Sequence, residues 1–195
     1  MLEQTTSAGQ RSLRGQPGDA NDVRLIAMIE AGDRNAFAQL YRAYFPRLVR
    51  FLDRMTRNGA LIEEIINDTL LVVWQRADAF NHSSKVSTWI FSIAYRKALK
   101  GIRSLDEPVD ADPDAEAGDE HDQPEAALSL QQLQQQVAQA LDALPHAQRT
   151  VVNLAYYHGM AYEEIAAIMD CPLNTVKTRM FNARGKLRSL LEASV

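Results

Sequence analysis

Tyr162 to Arg188 reads YEEIAAIMDCPLNTVKTRMFNARGKLR, and this stretch decides the fold. It has the form of a helix, a tight turn and a second, basic helix. Val176, Met180, Ala183 and Leu187 recur at i, i+4, i+7 and i+11, so they share one apolar stripe. Thr175, Thr178, Arg179, Asn182 and Lys186 fall on the opposite side at helical spacing. From Leu173 to Arg188 the charges are Lys177, Arg179, Arg184, Lys186 and Arg188, with no acid among them. A short helix with one dry face and one cationic, hydrogen-bonding face suits the major groove of duplex DNA, where phosphates attract the charge and base edges meet the polar groups. The preceding helix, Tyr162 to Met169, places Tyr162, Ile165, Ala166 and Met169 on one side. Glu163 and Glu164 stand in its first turn, where the helix dipole favours carboxylates. Asp170-Cys171-Pro172 ends it, because proline disfavours helix in the residue before it. Asn174 or Thr175 is expected to cap the second helix. The plainer alternative is an amphipathic hairpin with a solvated basic face.

Working outward, no segment alternates as a strand does, and the expectation is an all-α chain of two small helical domains joined by a flexible acidic linker. Residues 1–20 read as a loose tail rich in Gly, Ser, Gln and Thr. Residues 21–103 read as five helices. Asp22 caps the first, which runs through Ala31 and carries Val23, Ile26, Ala27 and Ile29 or Glu30. Gly32-Asp33 breaks the chain before a second helix, Arg34 to Tyr44. Pro46 opens a third, Asn58-Gly59 ends it, a long apolar fourth covers Leu61 to Phe80, and the fifth starts near Ser87. Residues 104–127 hold ten acids, three prolines and no Lys or Arg, which makes a linker and no core. Residues 128–195 carry a helix lined by Leu130, Leu133, Val137, Ala140, Leu141 and Leu144, then a helix from His146 to Tyr157 closed by Gly159, then the helix-turn-helix.

The net charge of −4 conceals this layout. Residues 1–103 are net +5, the linker −10 and residues 128–195 +1, so two weakly basic units flank an acidic strap. Cys171 is the single cysteine, so no internal disulfide forms. The four histidines lack metal-ligand spacing. No apolar run approaches a membrane span and the N-terminus lacks a signal-peptide core, which points to a reducing cytoplasm. There is no phosphate-binding glycine loop, no metal cluster and no nucleophile–base pair, so neither an enzyme nor a cofactor protein is expected.

Three constellations stand out before residue 104. Glu64, Asn67, Asp68, Leu71, Gln75 and Asp78 form a polar seam along an otherwise greasy helix, read either as a docking strip for a basic partner or as a solvated face. Trp89, Phe91 and Tyr95 lie on one helix with Arg96, Lys97, Lys100 and Arg103. Aromatics with cations suit stacking on unpaired bases, although Trp89 and Phe91 also read as core. The loop Asn81-His82-Ser83-Ser84-Lys85 offers small hydrogen-bonding groups that fit either an extruded base or a plain helix connection.

At this point the chain resembles an extracytoplasmic-function sigma factor of the sigma-70 family, the compact promoter-specificity subunit of bacterial RNA polymerase. The landmarks Leu144-Pro145, Arg149, Leu154, Gly159, Tyr162 to Ala166 and Thr175-Val176-Lys177 follow that family's order. So do AFAQLYRAYFPRLVRFL from Ala36 and the STWIFSIA run from Ser87. The resemblance implies that residues 128–195 read the minus-thirty-five element as duplex through Thr175, Lys177, Thr178, Arg179, Asn182, Arg184 and Lys186. It implies that residues 21–103 read the minus-ten element as opened strand through Asn81, His82, Ser83, Ser84, Lys85, Trp89, Tyr95, Arg96, Lys97 and Lys100. It implies that Glu64, Asn67, Asp68 and Gln75 dock on the clamp helices of the polymerase's largest subunit. It implies an anti-sigma factor as a second protein partner, and a linker that threads polymerase channels otherwise holding nucleic acid. Asn67 and Asp68 stand where the family usually has Gln and Glu, Tyr95-Arg96 where Arg-Asn is common, Lys100 where Asp is common and Asn182 where Arg is frequent, so promoter preference does not carry over. Two other classes fit parts of the pattern: a stand-alone helix-turn-helix regulator, and a sigma-like decoy for an anti-sigma factor.

Overall fold

The structure, a computed structural model, describes residues 17–106 and 125–192; the tail before residue 17 and most of the acidic linker lie outside the described residues. The described residues contain helices α1 (Pro17–Glu30), α2 (Arg34–Asp53), α3 (Gly59–Gln75), α4 (Val86–Asp106), α5 (Glu125–Asp142), α6 (His146–Val152), α7 (Tyr162–Ile168) and α8 (Leu173–Glu192), with no strand among them. A 3-10 turn, Ala77–Ala79, follows α3, and a π turn, Asn153–Tyr157, continues α6.

Several boundaries differ from the sequence reading, each for a local reason. The second and third predicted helices are one, α2, with Pro46 inside it. Ala36, Leu40, Tyr44, Leu48, Phe51 and Leu52 lie on a single buried stripe that continues through the proline, and that burial outweighs one lost backbone bond. Asp33 is the N-cap of α2, accepting the amides of Asn35 (2.7 Å) and Ala36 (3.1 Å). Asn58 begins α3 by accepting the Leu61 amide at 3.0 Å. Asp22 caps nothing: α1 starts earlier, at Pro17, within the span read as tail, and Asp22 accepts the Tyr44 hydroxyl at 2.6 Å. Burial raises the Asp22 carboxyl, and burial together with that bond pushes the Tyr44 hydroxyl far up. The buried face of α1 is Leu25, Ile26 and Ile29, with Ala27 outside. The fourth predicted helix stops at Gln75 rather than Phe80, so Asp78 leaves the seam and lies 4.0 Å from Arg76. Helix α4 runs to Asp106 and α5 begins at Glu125, both inside the span read as linker.

Helices α1 to α4 pack around Leu40, Leu48, Phe51, Leu52, Ile66, Leu70, Ile90 and Phe91. Gly101 lets α3 and α4 close together, since a Cβ there would meet Leu61 Cδ1 at 2.8 Å. In the second half, α6, α7 and α8 pack around Leu154, Ile165, Ile168, Val176 and Met180. Gly159, at φ +63, turns the chain from the π segment toward α7. The two halves share one continuous apolar core. The His158 ring lies 5.0 Å from Phe91 and 6.0 Å from Phe51. Asn153 donates its amide to the Phe51 carbonyl at 3.1 Å, and Arg57 pairs with Asp142.

Candidate nucleic-acid and polymerase interfaces

Helices α7 and α8 meet across the turn predicted from Asp170-Cys171-Pro172. Asp170 takes a left-handed backbone, φ +48, and the Cys171 amide reaches back to the Ala166 carbonyl at 3.1 Å. Glu164 secures the start of α7 by accepting the Ala161 amide at 2.9 Å, the acid's half of a capping box, since Ala161 has no side-chain acceptor to return the bond. Helix α8 begins at Leu173, ahead of the expected caps; the Thr175 and Val176 amides bond to the Pro172 carbonyl instead. Val176, Met180 and Ala183 are buried and Leu187 packs beside them, as the stripe required.

Of the residues expected on the outer face of α8, Lys177, Thr178, Asn182, Arg184 and Lys186 are exposed, while Thr175 and Arg179 are half-buried. Their surroundings differ. Thr178 bonds its own helix at the Asn174 carbonyl (2.9 Å), and Arg179 reaches the Cys171 sulfur at 3.5 Å. Arg184 lies over the Tyr156 ring at 5.9 Å, and Lys186 donates to the Ala143 carbonyl at 2.8 Å, holding the end of α5. Of these, the outward polar surface is therefore concentrated at Lys177 and Asn182, with the exposed Thr178 beside them bonded to its own helix. Between them stands Phe181, 77% exposed and one turn on from both Lys177 and Thr178. Sequence reasoning missed it. The available signal was a large aromatic off the apolar stripe, in a helix whose buried positions were already filled.

In the first half, Asn81, His82 and Ser83 are exposed and Ser84, Lys85 and Trp89 half-buried. The Asn81 side chain organises the loop by accepting from the Ser83 amide (3.1 Å) and hydroxyl (2.6 Å). His82 adopts φ +59, its ring 4.7 Å from Phe80, and Trp89 lies 5.5 Å from Phe80 on the same aromatic cluster. Arg96 and Lys100 are exposed and line an open groove of about 450 Å³ with Leu99 and Arg103. Lys97 is tied to Asp68 at 2.8 Å. Tyr95 is different: it is 7% exposed, and burial raises its hydroxyl, an effect partly offset by the nearby Arg179 guanidinium. Tyr95 and Arg179, one from each expected DNA-reading set, are thus near enough to interact electrostatically across the junction. Glu64, Asn67, Asp68 and Gln75 are all exposed on α3, and between them Leu71 shows 49% of its surface.

The junction itself is built on α7 packed along α4. Glu164 accepts the Thr88 hydroxyl at 3.2 Å and pairs with Lys85 at 3.1 Å. The His158 ring is held as the neutral imidazole, its pKa pushed down to about 4 by burial and by the charges of Arg47 and Arg50. No group of carboxylates, histidines and cysteine suited to a metal occurs among the described residues. No helix among them is long and apolar enough to cross a membrane.

Comparison with known proteins follows these two halves. Residues 40–107 match the Sigma-70 region 2 family and residues 134–187 the Sigma-70, region 4 family. The ECF RNA polymerase sigma factor RpoE of Cereibacter sphaeroides is 33% identical over 161 residues, covering 80% of this chain and 86% of that protein. The ECF RNA polymerase sigma-E factor of Escherichia coli K12 is 31% identical over 173 residues, covering 84% and 90% respectively. Among solved structures, the sigma factor RpoE in complex with the anti-sigma factor NepR from Bartonella quintana superposes with a TM-score of 0.61 at 26% identity, covering 80% of this chain and 96% of that one. CnrH, solved with the cytosolic domain of CnrY, shares the fold with a TM-score of 0.66 at 24% identity, over 90% of this chain and 99% of that one.

Proposed function

The chain belongs to the extracytoplasmic-function RNA polymerase sigma factors, and on that premise we propose how its two halves divide the reading of a promoter. It is an alternative sigma factor: it directs core polymerase to particular promoters and assists their opening, under the control of an anti-sigma factor. Residues up to 106 take the minus-ten element as opened strand and the polymerase clamp, and residues from 125 take the minus-thirty-five element as duplex. The carrying observation is the pair of exposed hydrogen-bonding surfaces, the 81–85 loop with the basic end of α4 and the outer face of α8, each mounted on a buried apolar stripe.

On α8, Lys177 contacts phosphate while Thr178, Phe181 and Asn182 face base edges; an aromatic ring packs against a thymine methyl and an amide reads adenine. Thr175, Arg179, Arg184 and Lys186 are further members of this surface. Arg179 is half-buried in the packed form, with its guanidinium 3.5 Å from the Cys171 sulfur. In the first half, Asn81, His82, Ser83, Ser84 and Lys85 cup a base lifted out of the stack, Trp89 and Tyr95 supply ring faces, and Arg96, Lys97 and Lys100 follow the backbone. Glu64, Asn67, Asp68 and Gln75, with the exposed Leu71 among them, dock on the clamp helices of the largest polymerase subunit: acids and amides around an apolar centre, as interfaces are built.

Opening needs no catalytic residue. Capture of unstacked bases favours the melted strand, which is a shift of population, and polymerisation belongs to the partner enzyme. The chain works in the cytoplasm with its polymerase and uses no cofactor.

The test is run-off transcription on fragmented genomic DNA of the source organism, with bacterial core polymerase, with and without the full chain, mapping RNA starts. Discrete new starts sharing two upstream motifs are expected, and the double variant Lys177→Ala/Asn182→Ala should lose them while still binding core. Starts that appear equally with that variant would overturn the assignment of α8 to the upstream element.

A further inference from the structure

One carboxylate at the junction serves two purposes. Glu164 stands at the third position of α7, and its Oε2 accepts the Ala161 amide at 2.9 Å, which secures the helix start. Its Oε1 accepts the Thr88 hydroxyl at 3.2 Å and lies 3.1 Å from Lys85 Nζ. The contact is largely shielded: Thr88 is 2% exposed, and the side chains of Glu164 and Lys85 are 16% and 34% exposed. A cation and a hydroxyl converging on one anionic oxygen resemble the arrangement a protein builds around an oxygen of a backbone phosphate. Lys85 and Thr88 lie where the 81–85 loop runs into α4, at the entrance of the surface assigned above to the opened strand.

Geometry makes the contact exclusive. With α7 along α4, Tyr95 is buried and Glu164 covers Lys85 and Thr88. Promoter elements some twenty base pairs apart are roughly 70 Å from each other along the duplex, far more than two helices in contact allow. The halves must part before both elements are read, and the Glu164 contact must then break. We propose that Glu164 occupies, in the free chain, the position of a strand phosphate on Lys85 and Thr88, that it latches the second half over the first, and that the opened strand takes its place. This inference rests on the assignment of the 81–85 loop and α4 to single-stranded DNA.

Glu164→Gln separates the two roles. The amide oxygen still accepts from Ala161, since Gln serves in a capping box as Glu does, so the helix start survives; the charge facing Lys85 is gone. Glu163→Gln is the control, an exposed neighbour whose substitution changes net charge identically. The full chains, without polymerase, are titrated onto a fluorescent mixed-sequence single-stranded oligonucleotide at fixed moderate salt, and their radii of gyration are measured by small-angle X-ray scattering. Loss of a charged hydrogen bond should give Glu164→Gln roughly fivefold to tenfold tighter binding than the wild type and the control, with a larger radius. If Glu164→Gln matches Glu163→Gln in both measurements, the latch is overturned. If the radius grows while affinity stays at the control level, the halves are latched but the strand does not use the vacated groups. That result overturns the phosphate substitution while leaving Asn81, His82 and Ser83, which Glu164 does not cover, as strand contacts; only loss of all single-strand binding in the wild type overturns the assignment of the loop.

Discussion

Asn153 is the place to test whether the two halves fold as one unit. It is 3% exposed, and its amide nitrogen donates across the junction to the Phe51 carbonyl at 3.1 Å. That carbonyl belongs to the last turn of α2, where carbonyls run out of helical partners. The amides of Met55 and Thr56, which are next in line, both donate to Leu52 instead. The Asn153 side chain therefore serves as a cap contributed by the other half of the molecule. Asn153→Asp keeps the shape and removes the donor. The stranded carbonyl costs about 1–3 kcal/mol, and a buried carboxylate facing a carbonyl oxygen brings the total to about 3–5 kcal/mol at neutral pH. Below about pH 4 the aspartic acid is neutral and its O–H replaces the lost donor, so the deficit relative to wild type shrinks as pH falls. Asn153→Leu strands the same carbonyl without adding charge, and it also removes an Oδ1 that has no partner. Its deficit should be about 1–2 kcal/mol and independent of pH.

Urea unfolding of the full chain measures both. The two tryptophans, Trp74 and Trp89, report only the first half, whereas far-ultraviolet circular dichroism reports both halves. The wild type should give coincident transitions, and Asn153→Asp at neutral pH should give separated ones. If both variants unfold within about 0.5 kcal/mol of the wild type, with coincident probes at every pH, the cross-junction bond contributes nothing and the argument fails.

His158 gives the wild type its own pH dependence: its folded pKa near 4 lies below the ordinary 6.5, so the opened or unfolded form takes up the proton first. Stability should be full above about pH 6.5, decline as pH falls toward 4 and level off below; the partly exposed ring limits the loss to about 1–2 kcal/mol, and His158→Phe should abolish it in the same urea titration. Gly101→Val should destabilise by about 2 kcal/mol because any Cβ meets Leu61, whereas Gly185→Ala, with open space around it, should stabilise by about 0.5–1 kcal/mol in thermal melts. Phe181→Ala should leave the melting temperature unchanged and weaken specific duplex binding roughly tenfold, read by fluorescence anisotropy.

The parts of the fold that were legible in the sequence are those set by local chemistry. The α8 stripe, the helix-turn-helix break at Asp170 to Pro172 and the Gly159 turn each depend on residues close together in the chain. The misread boundaries depend on distant partners. Pro46 is a reasonable helix start until Ala36 through Leu52 are seen to share one core face. Asp22 has the chemistry of an N-cap but spends its carboxylate on Tyr44, twenty-two residues away. The same division holds for the sites. The polar seam on α3 and the cations of α8 follow from spacing. That Lys186 is occupied by Ala143, Lys97 by Asp68 and Arg184 by Tyr156 follows from packing, which no periodicity encodes.

Least legible of all was the junction, because its residues each have an adequate local explanation. Asn153 reads as a helix residue, His158 as a loop residue before Gly159, Glu164 as a first-turn acid at the positive end of a helix dipole. Only their meeting with Phe51, Phe91 and Lys85 shows that they also join the halves. The linker gives that joining its consequence. Eighteen residues, 107–124, separate α4 from α5, and a segment of that length reaches at most about 65 Å when fully drawn out. On the reading proposed above, promoter elements roughly 70 Å apart call for a basic host to hold the strap extended, as well as a strand to replace the junction contacts. On that proposal the packed form of the free chain and a spread form on the enzyme are two ends of one equilibrium, weighted by a small number of named side chains.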